Sequence, residues 1–198
     1  KVAVITGGGT GLGQAMAVRF AALGAKVFIL SRSDEHLKAT AALIQDKKGI
    51  CAYATCDIRK EDEVKKTVTD IVQKWGRIDI LVNNAAGNFI CPSKDLSMNG
   101  WNAVVGIVLT GTFLMSREVG KIMLAQSNGS ILNIIATYAW TGSPGVVHSA
   151  SAKAGVVAMT RTLASEWAPH GIRVNCLAPG PIETEGASEK LWPTEEKK

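Results

Sequence analysis

The chain opens on a strand that runs straight into glycine. Val2-Ala3-Val4-Ile5-Thr6 is an apolar run too short for a helix, and Gly7-Gly8-Gly9-Thr10-Gly11-Leu12-Gly13 follows at once. That order predicts a buried strand, a turn almost free of side chains, and a helix beginning near Gly11. The spacing, Gly7-x3-Gly11-x-Gly13, is a variant of the G-x-G-x-x-G fingerprint. Gly7, Gly8, Gly9, Thr10, Gly11 and Leu12 then let a pyrophosphate reach the backbone. The free N–H groups and positive dipole end of the helix face that pyrophosphate. A glycine turn with no ligand is the other use of such residues. The strand before it and the helix after it favour a dinucleotide.

Strand and helix patterns alternate along the rest of the chain. The spacing predicts a helix over 11–23 ended by Gly24, a strand over 26–30, and a helix capped by Asp34 that runs to about Lys48. A strand over 50–55, a helix over 61–75 closed by Gly76 and a strand over 78–82 come next. A long helix over 98–126, a strand over 130–135, a helix over 149–167 and a strand over 173–177 complete the pattern. Apolar strands separated by helices predict a doubly wound parallel α/β sheet (Rossmann fold) with helices on both faces. One domain covers 1–198, with an irregular polar tail from about 183.

The end of the second strand selects the cofactor. An acidic residue there would bind the ribose 2′-hydroxyl of NAD. The chain has Ser31 and Arg32 instead. A guanidinium forks onto a 2′-phosphate where an acid would repel it, so NADP(H) is expected over NAD(H). Asp57, after the third strand, is placed to accept from the adenine amino group, or to cap a turn. Asn83-Asn84-Ala85-Ala86-Gly87 follows the fourth strand, and its small side chains leave room for the adenosine ribose.

Composition excludes several classes. The 198 residues are 46% hydrophobic and 20% charged, which suits a soluble globular domain. Lys plus Arg is 22 against 17 acidic residues, a net charge of +5. The basic residues are scattered, which argues against a nucleic-acid surface. Cys51, Cys56, Cys91 and Cys176 form no C-x-x-C pair, and no histidine is spaced as a metal partner, so free thiols are expected and no metal. Neither a signal peptide nor an 18-residue apolar run is recognised.

The combination of TGGGTGLG, NNAAG, Lys153 and Pro179-Gly180-Pro181-Ile182 resembles the short-chain dehydrogenase/reductase superfamily over about residues 1–187. Within it, three segments are similar to the 2,4-dienoyl-CoA reductases: Asn84–Phe89, Ser149–Gly155 and Pro179–Ala187. The usual carbonyl reductase has a tyrosine four residues before its lysine and a serine thirteen residues earlier still. Here those positions are Ser149 and Ala136, while Tyr138 lies two residues beyond Ala136. The dienoyl-CoA reductases show the same departures.

The resemblance implies hydride delivery from NADPH to the δ carbon of a 2,4-dienoyl thioester. The charge then collects on the thioester oxygen, and α-carbon protonation gives a 3-enoyl-CoA, a reaction of unsaturated fatty-acid β-oxidation. Tyr138 and Asn88 match the family's two donors to that oxygen. Lys153, one turn after Ser149 on the same helix face, matches the residue that holds the nicotinamide ribose. Ser149 is expected to bond Tyr138 or the substrate region, or else to act as an N-cap. Gly7–Leu12, Arg32, Asp57, Asn84, Lys153, Pro179, Gly180, Pro181 and Ile182 are the implied cofactor contacts. Arg59, Phe89, Ser97 and Lys190 are the implied contacts to the acyl-CoA thioester.

The resemblance also implies a homotetramer through the two long helices, in a bacterial cytoplasm or an organelle matrix. It implies further helices and a last edge strand beyond Lys198. Two other functions fit the same residues: a reductase of another enone or ketone with Tyr138 as its donor, and a non-catalytic NADP(H)-binding protein.

Overall fold

A computed structural model describes residues 1–180 together with Ile182. Its strands are β1 (Val2–Thr6), β2 (Lys26–Ser31), β3 (Ile50–Thr55), β4 (Ile80–Asn83), β5 (Gly129–Ile134) and β6 (Ile172–Leu177). All pair in parallel, in the order β3-β2-β1-β4-β5-β6. The chain winds outward from β1 to β3, returns to β4 beside β1, and winds outward again. The reversal between β1 and β4 opens a crevice at the carboxyl ends of the strands.

The helices are α1 (Gly11–Ala22), α2 (Asp34–Asp46), α3 (Glu61–Trp75), α4 (Met98–Val105), α5 (Thr112–Gln126), α6 (Tyr138–Thr141) and α7 (Val147–Trp167). Alternate strand residues choose their face. Val4, Phe28, Leu30, Leu81 and Ile131 pack with α3, α5 and the foot of α7. Ile5, Val27, Ile29, Val82 and Ile134 pack with Ala17 and Ala21 of α1 and with Leu37 and Ile44 of α2. A third cluster, including Val104, Val108, Ile135, Ala152 and Val156, seats α7 on α4. Each fully buried Ile or Leu contributes about 2 kcal/mol of transfer free energy to this packing.

Several boundaries differ from the sequence pattern for local reasons. β4 begins at Ile80 rather than Ile78, because the Ile78 backbone is held by the Gln126 amide (3.0 and 2.8 Å). Ser33, not Asp34, caps α2, accepting from the His36 N–H at 3.4 Å. Asp34 is the first helical residue and pairs with Lys38. α2 ends at Asp46, and the left-handed residue after it is Lys48 (φ 60°), not Gly49. β5 and β6 each start one residue earlier than expected, and α7 starts two earlier.

The helix expected over 98–126 contains a π-helical turn, Gly106–Gly111, between α4 and α5. An 18-residue window of this stretch has a mean hydropathy of 1.3, long and apolar enough by composition to cross a bilayer, but 56% of that window is buried inside the fold, as in a core helix. No group of metal-ligating side chains occurs among the described residues. All four cysteines are free.

A buried amide chain ties the central strands to the helices. Asn83 Nδ2 on β4 donates to Ser116 on α5 (2.9 Å) and to Asn133 Oδ1 on β5 (2.8 Å). Asn133 Nδ2 donates to Thr160 on α7 (2.8 Å). This chain fixes the rotation of α7, the helix that carries Ser149 and Lys153. We expect Asn133→Ala to cost about 2–3 kcal/mol in urea unfolding, because two buried partners lose a bond. Asn128→Ala, on an exposed turn, should change stability by less than about 0.5 kcal/mol. Equal values for the two would contradict this account.

Candidate active site

The turn between β1 and α1 closes only around glycine. Gly7 has φ 65°, and its N–H donates to Leu30 O at 2.8 Å. A Cβ on Gly13 would lie 2.1 Å from the Gly7 carbonyl oxygen, so any side chain there pushes α1 off the turn. Thr40 Oγ1 on α2 donates to Gly9 O (3.0 Å) and accepts from Gln14 Nε2 (2.9 Å), locking the turn to both helices. Gly8 departs from expectation. A Cβ there would strike Ile29 at 2.6 Å, so Gly8 serves β1–β2 packing and does not line the cleft.

A cleft of about 490 Å³ lies over this turn. Gly7, Gly9, Thr10, Gly11 and Leu12 form its floor, with Arg32, Asp57 and Asn84 on its sides. Sequence reasoning did not single out Ser33, His36, Ile58 and Ile107, which also line it. Ile107 is presented by the π-helical turn, a feature no hydrophobic periodicity signals. His36 lies one turn after Ser33, so helical spacing from the end of β2 could have found it.

Several expected ligands already have protein partners. Asn84 Nδ2 donates to Thr6 O (3.1 Å) and Gly7 O (3.3 Å), bracing the turn from beside the cleft. Arg59 forks onto Asp57, with Nε 2.9 and 3.0 Å from its two oxygens. Hydrogen bonding from Arg59 is the largest cause that pulls the Asp57 pKa down to about 2. Ser97 caps α4, accepting from Gly100 N–H at 3.1 Å. Arg32 makes no ion pair with any described residue.

A second group converges beyond the cleft. Tyr138, the first residue of the short helix α6, places its hydroxyl 3.0 Å from Ser149 Oγ. Asn88 Nδ2, in the loop after β4, is 3.5 Å from the same hydroxyl. Ser149 is thus not the N-cap of α7; it lies inside the first turn, buried against Tyr138. The Phe89 ring meets His148 edge-on at 4.5 Å. Burial holds His148 below the ordinary histidine range. Cys91 N–H donates to Gly145 O (2.8 Å) and clamps the Asn88 loop to the segment before α7.

Lys153 is only 7% exposed, and its ammonium donates to the Ile134 carbonyl at the end of β5. Burial alone lowers its pKa to about 8. Pro179 and Gly180 follow β6, Gly180 with φ 73°, and Ile182 is 36% exposed. Pro181, Lys190 and the expected irregular tail lie outside the described residues.

The sequence matches the family profile described as short chain dehydrogenase over residues 1–194. The chain belongs to the short-chain dehydrogenase family. It is therefore an oxidoreductase, of a family that binds nicotinamide cofactors. A Bacillus subtilis protein is 48% identical over 197 residues, covering 98% of this chain and 78% of its own length. Its name is "probable 2,4-dienoyl-CoA reductase, (2E)-enoyl-CoA-producing". A Caenorhabditis elegans protein named "probable 2,4-dienoyl-CoA reductase 3, (3E)-enoyl-CoA-producing" is 46% identical over 97% of this chain and 63% of its own length. The crystal structure of a short chain dehydrogenase from Bacillus anthracis superposes with a TM-score of 0.89 at 54% identity, covering 92% of this chain and 74% of that one. The resemblance read from the motifs is thus matched by relatives across nearly the whole chain.

The lysine gives a pH prediction. Burial disfavours the charged form, so the folded chain releases this proton near pH 8 and the unfolded chain near 10.5. Between those values the unfolded state binds more protons, and stability rises with pH. The parent should gain about 3 kcal/mol relative to Lys153→Met between pH 7.5 and 10.5, measured by urea unfolding at each pH. Parallel curves would contradict a buried, destabilised ammonium.

Proposed function

We propose that the chain reduces 2,4-dienoyl-CoA thioesters to 3-enoyl-CoA with NADPH, within the β-oxidation of unsaturated fatty acids. The observation that carries this reading is the convergence of Tyr138, Asn88 and Ser149 in a chain with no serine at 136 and no tyrosine at 149. The names of the Bacillus and nematode relatives support the substrate class.

The cleft suits the cofactor: a side-chain-free turn meets the pyrophosphate, and Arg32 stands where a 2′-phosphate would branch. Bound there, NADPH would supply the hydride. The protein's part is to hold the anion that results. Charge moves from the δ carbon through the conjugated system to the thioester oxygen. Tyr138 Oη and Asn88 Nδ2 are neutral donors aimed at one region, and such donors stabilise the transition state more than the ground state. Either hydroxyl of the Tyr138–Ser149 pair can donate; with Ser149 as the donor, the phenol proton is left for the substrate. Asn88 Oδ1 accepts from the Phe89 N–H (3.0 Å), which turns the amide's N–H groups toward Tyr138. Lys153 would hold the nicotinamide ribose, and its positive charge would favour the enolate.

Protonation at the α carbon by solvent completes the reaction and leaves the double bond at carbon 3. This route needs no positioned acid, whereas a 2-enoyl product needs one over the γ carbon. The name of the Bacillus relative favours that second outcome. Arg59, Phe89, Ser97 and Lys190 are our candidates for the CoA-bearing side. A bacterial cytoplasm is the compartment that the Bacillus relative supports. We also infer a homo-oligomer using α5 and α7. Phe113 on α5 is 42% exposed, with Arg117 stacked 5.5 Å above its ring. Light scattering showing a monomer would remove that inference.

Full-length protein should oxidise NADPH in the presence of 2,4-hexadienoyl-CoA. Tyr138→Phe and Asn88→Ala should each lower kcat roughly 100-fold, as loss of one oxyanion donor does. In D2O the product should carry deuterium at the α carbon; deuterium at the γ carbon would establish the 2-enoyl product. Turnover of simple ketones but not of the dienoyl thioester would favour the ketone reductase. Absence of hydride transfer to any enone would leave a binding protein.

A further inference from the structure

We propose that His36 is a second specificity-determining residue, which joins Arg32 in holding the ribose 2′-phosphate. The inference rests on the NADP(H) reading above and deepens it. His36 lines the cleft beside Ser33 and Arg32. Its Cβ stands 2.9 Å from where a Gly9 Cβ would be, so the side chain starts beside the glycine turn. Thr40, one turn further along α2, donates to Gly9 O and is fully buried, which fixes this face of α2 against the turn.

Several donors that line the cleft are left without a partner among the described residues. Thr10 occupies the N-cap of α1 but makes no side-chain capping bond, so its hydroxyl is uncommitted. Ser33 accepts from the His36 N–H and keeps its own proton to donate. Arg32 makes no ion pair with a described residue. The acids on α2 do not compete: Asp34 pairs with Lys38 at 2.6 Å, and neither Asp34 nor Glu35 lines the cleft. Asp57 is occupied by Arg59, and the Arg32 charge adds a smaller share to holding its carboxyl down. A dianionic phosphate on the ribose 2′ oxygen would draw its partners from Arg32, His36 and the two hydroxyls, all on residues that line the cleft. A 2′-hydroxyl offers His36 no charge to meet, so the residue acts on the choice between the two cofactors.

The test is calorimetric titration of the full-length protein with 2′,5′-ADP and with 5′-AMP, which needs no turnover. His36→Leu keeps the packing on Gly9 and removes the donor. It should weaken 2′,5′-ADP roughly tenfold, the size of one lost hydrogen bond to a charged group, and leave 5′-AMP within about twofold. His36→Lys should restore the preference. Equal weakening of both ligands would reduce His36 to a packing residue and overturn the proposal. Unchanged binding in His36→Leu, with the preference lost in Arg32→Ala, would overturn it while leaving the NADP(H) reading intact. A parent protein without preference for 2′,5′-ADP would overturn both.

Discussion

The Cα of Gly13 rests on the carbonyl oxygen of Gly7, and the rest of the site depends on that contact. With 2.1 Å available where a Cβ would stand, no other residue lets α1 start so close to β1. The approach brings the first N–H groups of α1 over the end of the sheet, where strand order reverses between β1 and β4. Thr40 and Asn84 then hold the turn with side-chain bonds, and Gln14 braces Thr40. A phosphate site made of backbone has few side chains to misplace, and its precision comes from packing alone.

The reaction side is built in the opposite way. Its donors are side chains from three separate elements: Asn88 from the loop after β4, Tyr138 from α6, and Ser149 with Lys153 from α7. The Asn83–Asn133–Thr160 chain sets α7 against the sheet, and the Cys91–Gly145 bond draws the two loops together. The Lys153 ammonium is desolvated beside Ile134, which lowers its pKa. The account explains how a tyrosine outside the usual position can serve. It has to hold an oxygen, and the proton can come from water.

Much of the fold was legible because its signals are local. Apolar runs broken by glycine predicted all six strands within two residues, and Gly76 ended α3 as expected. Features that depend on distant partners were not legible. The start of β4 is decided by Gln126, which lies far along the chain. The π-helical turn inserts no sequence mark, and α6, at four residues, is too short for any periodicity. Gly8 reads as part of a phosphate motif, yet its neighbour is Ile29 on another strand. Asn88 and Tyr138 are 50 residues apart, and no spacing rule joins them. Only the family resemblance suggested that they meet, and the structure brings them to one hydroxyl.

The central claim is that a phenol and a carboxamide share one substrate oxygen. A crystal structure of the full-length protein with NADP⁺ and a 2,4-dienoyl-CoA measures this directly. The account predicts the thioester oxygen within about 2.6–3.2 Å of both Tyr138 Oη and Asn88 Nδ2. A thioester oxygen bonded to Lys153 or Ser149, with Tyr138 and Asn88 out of reach, would contradict it.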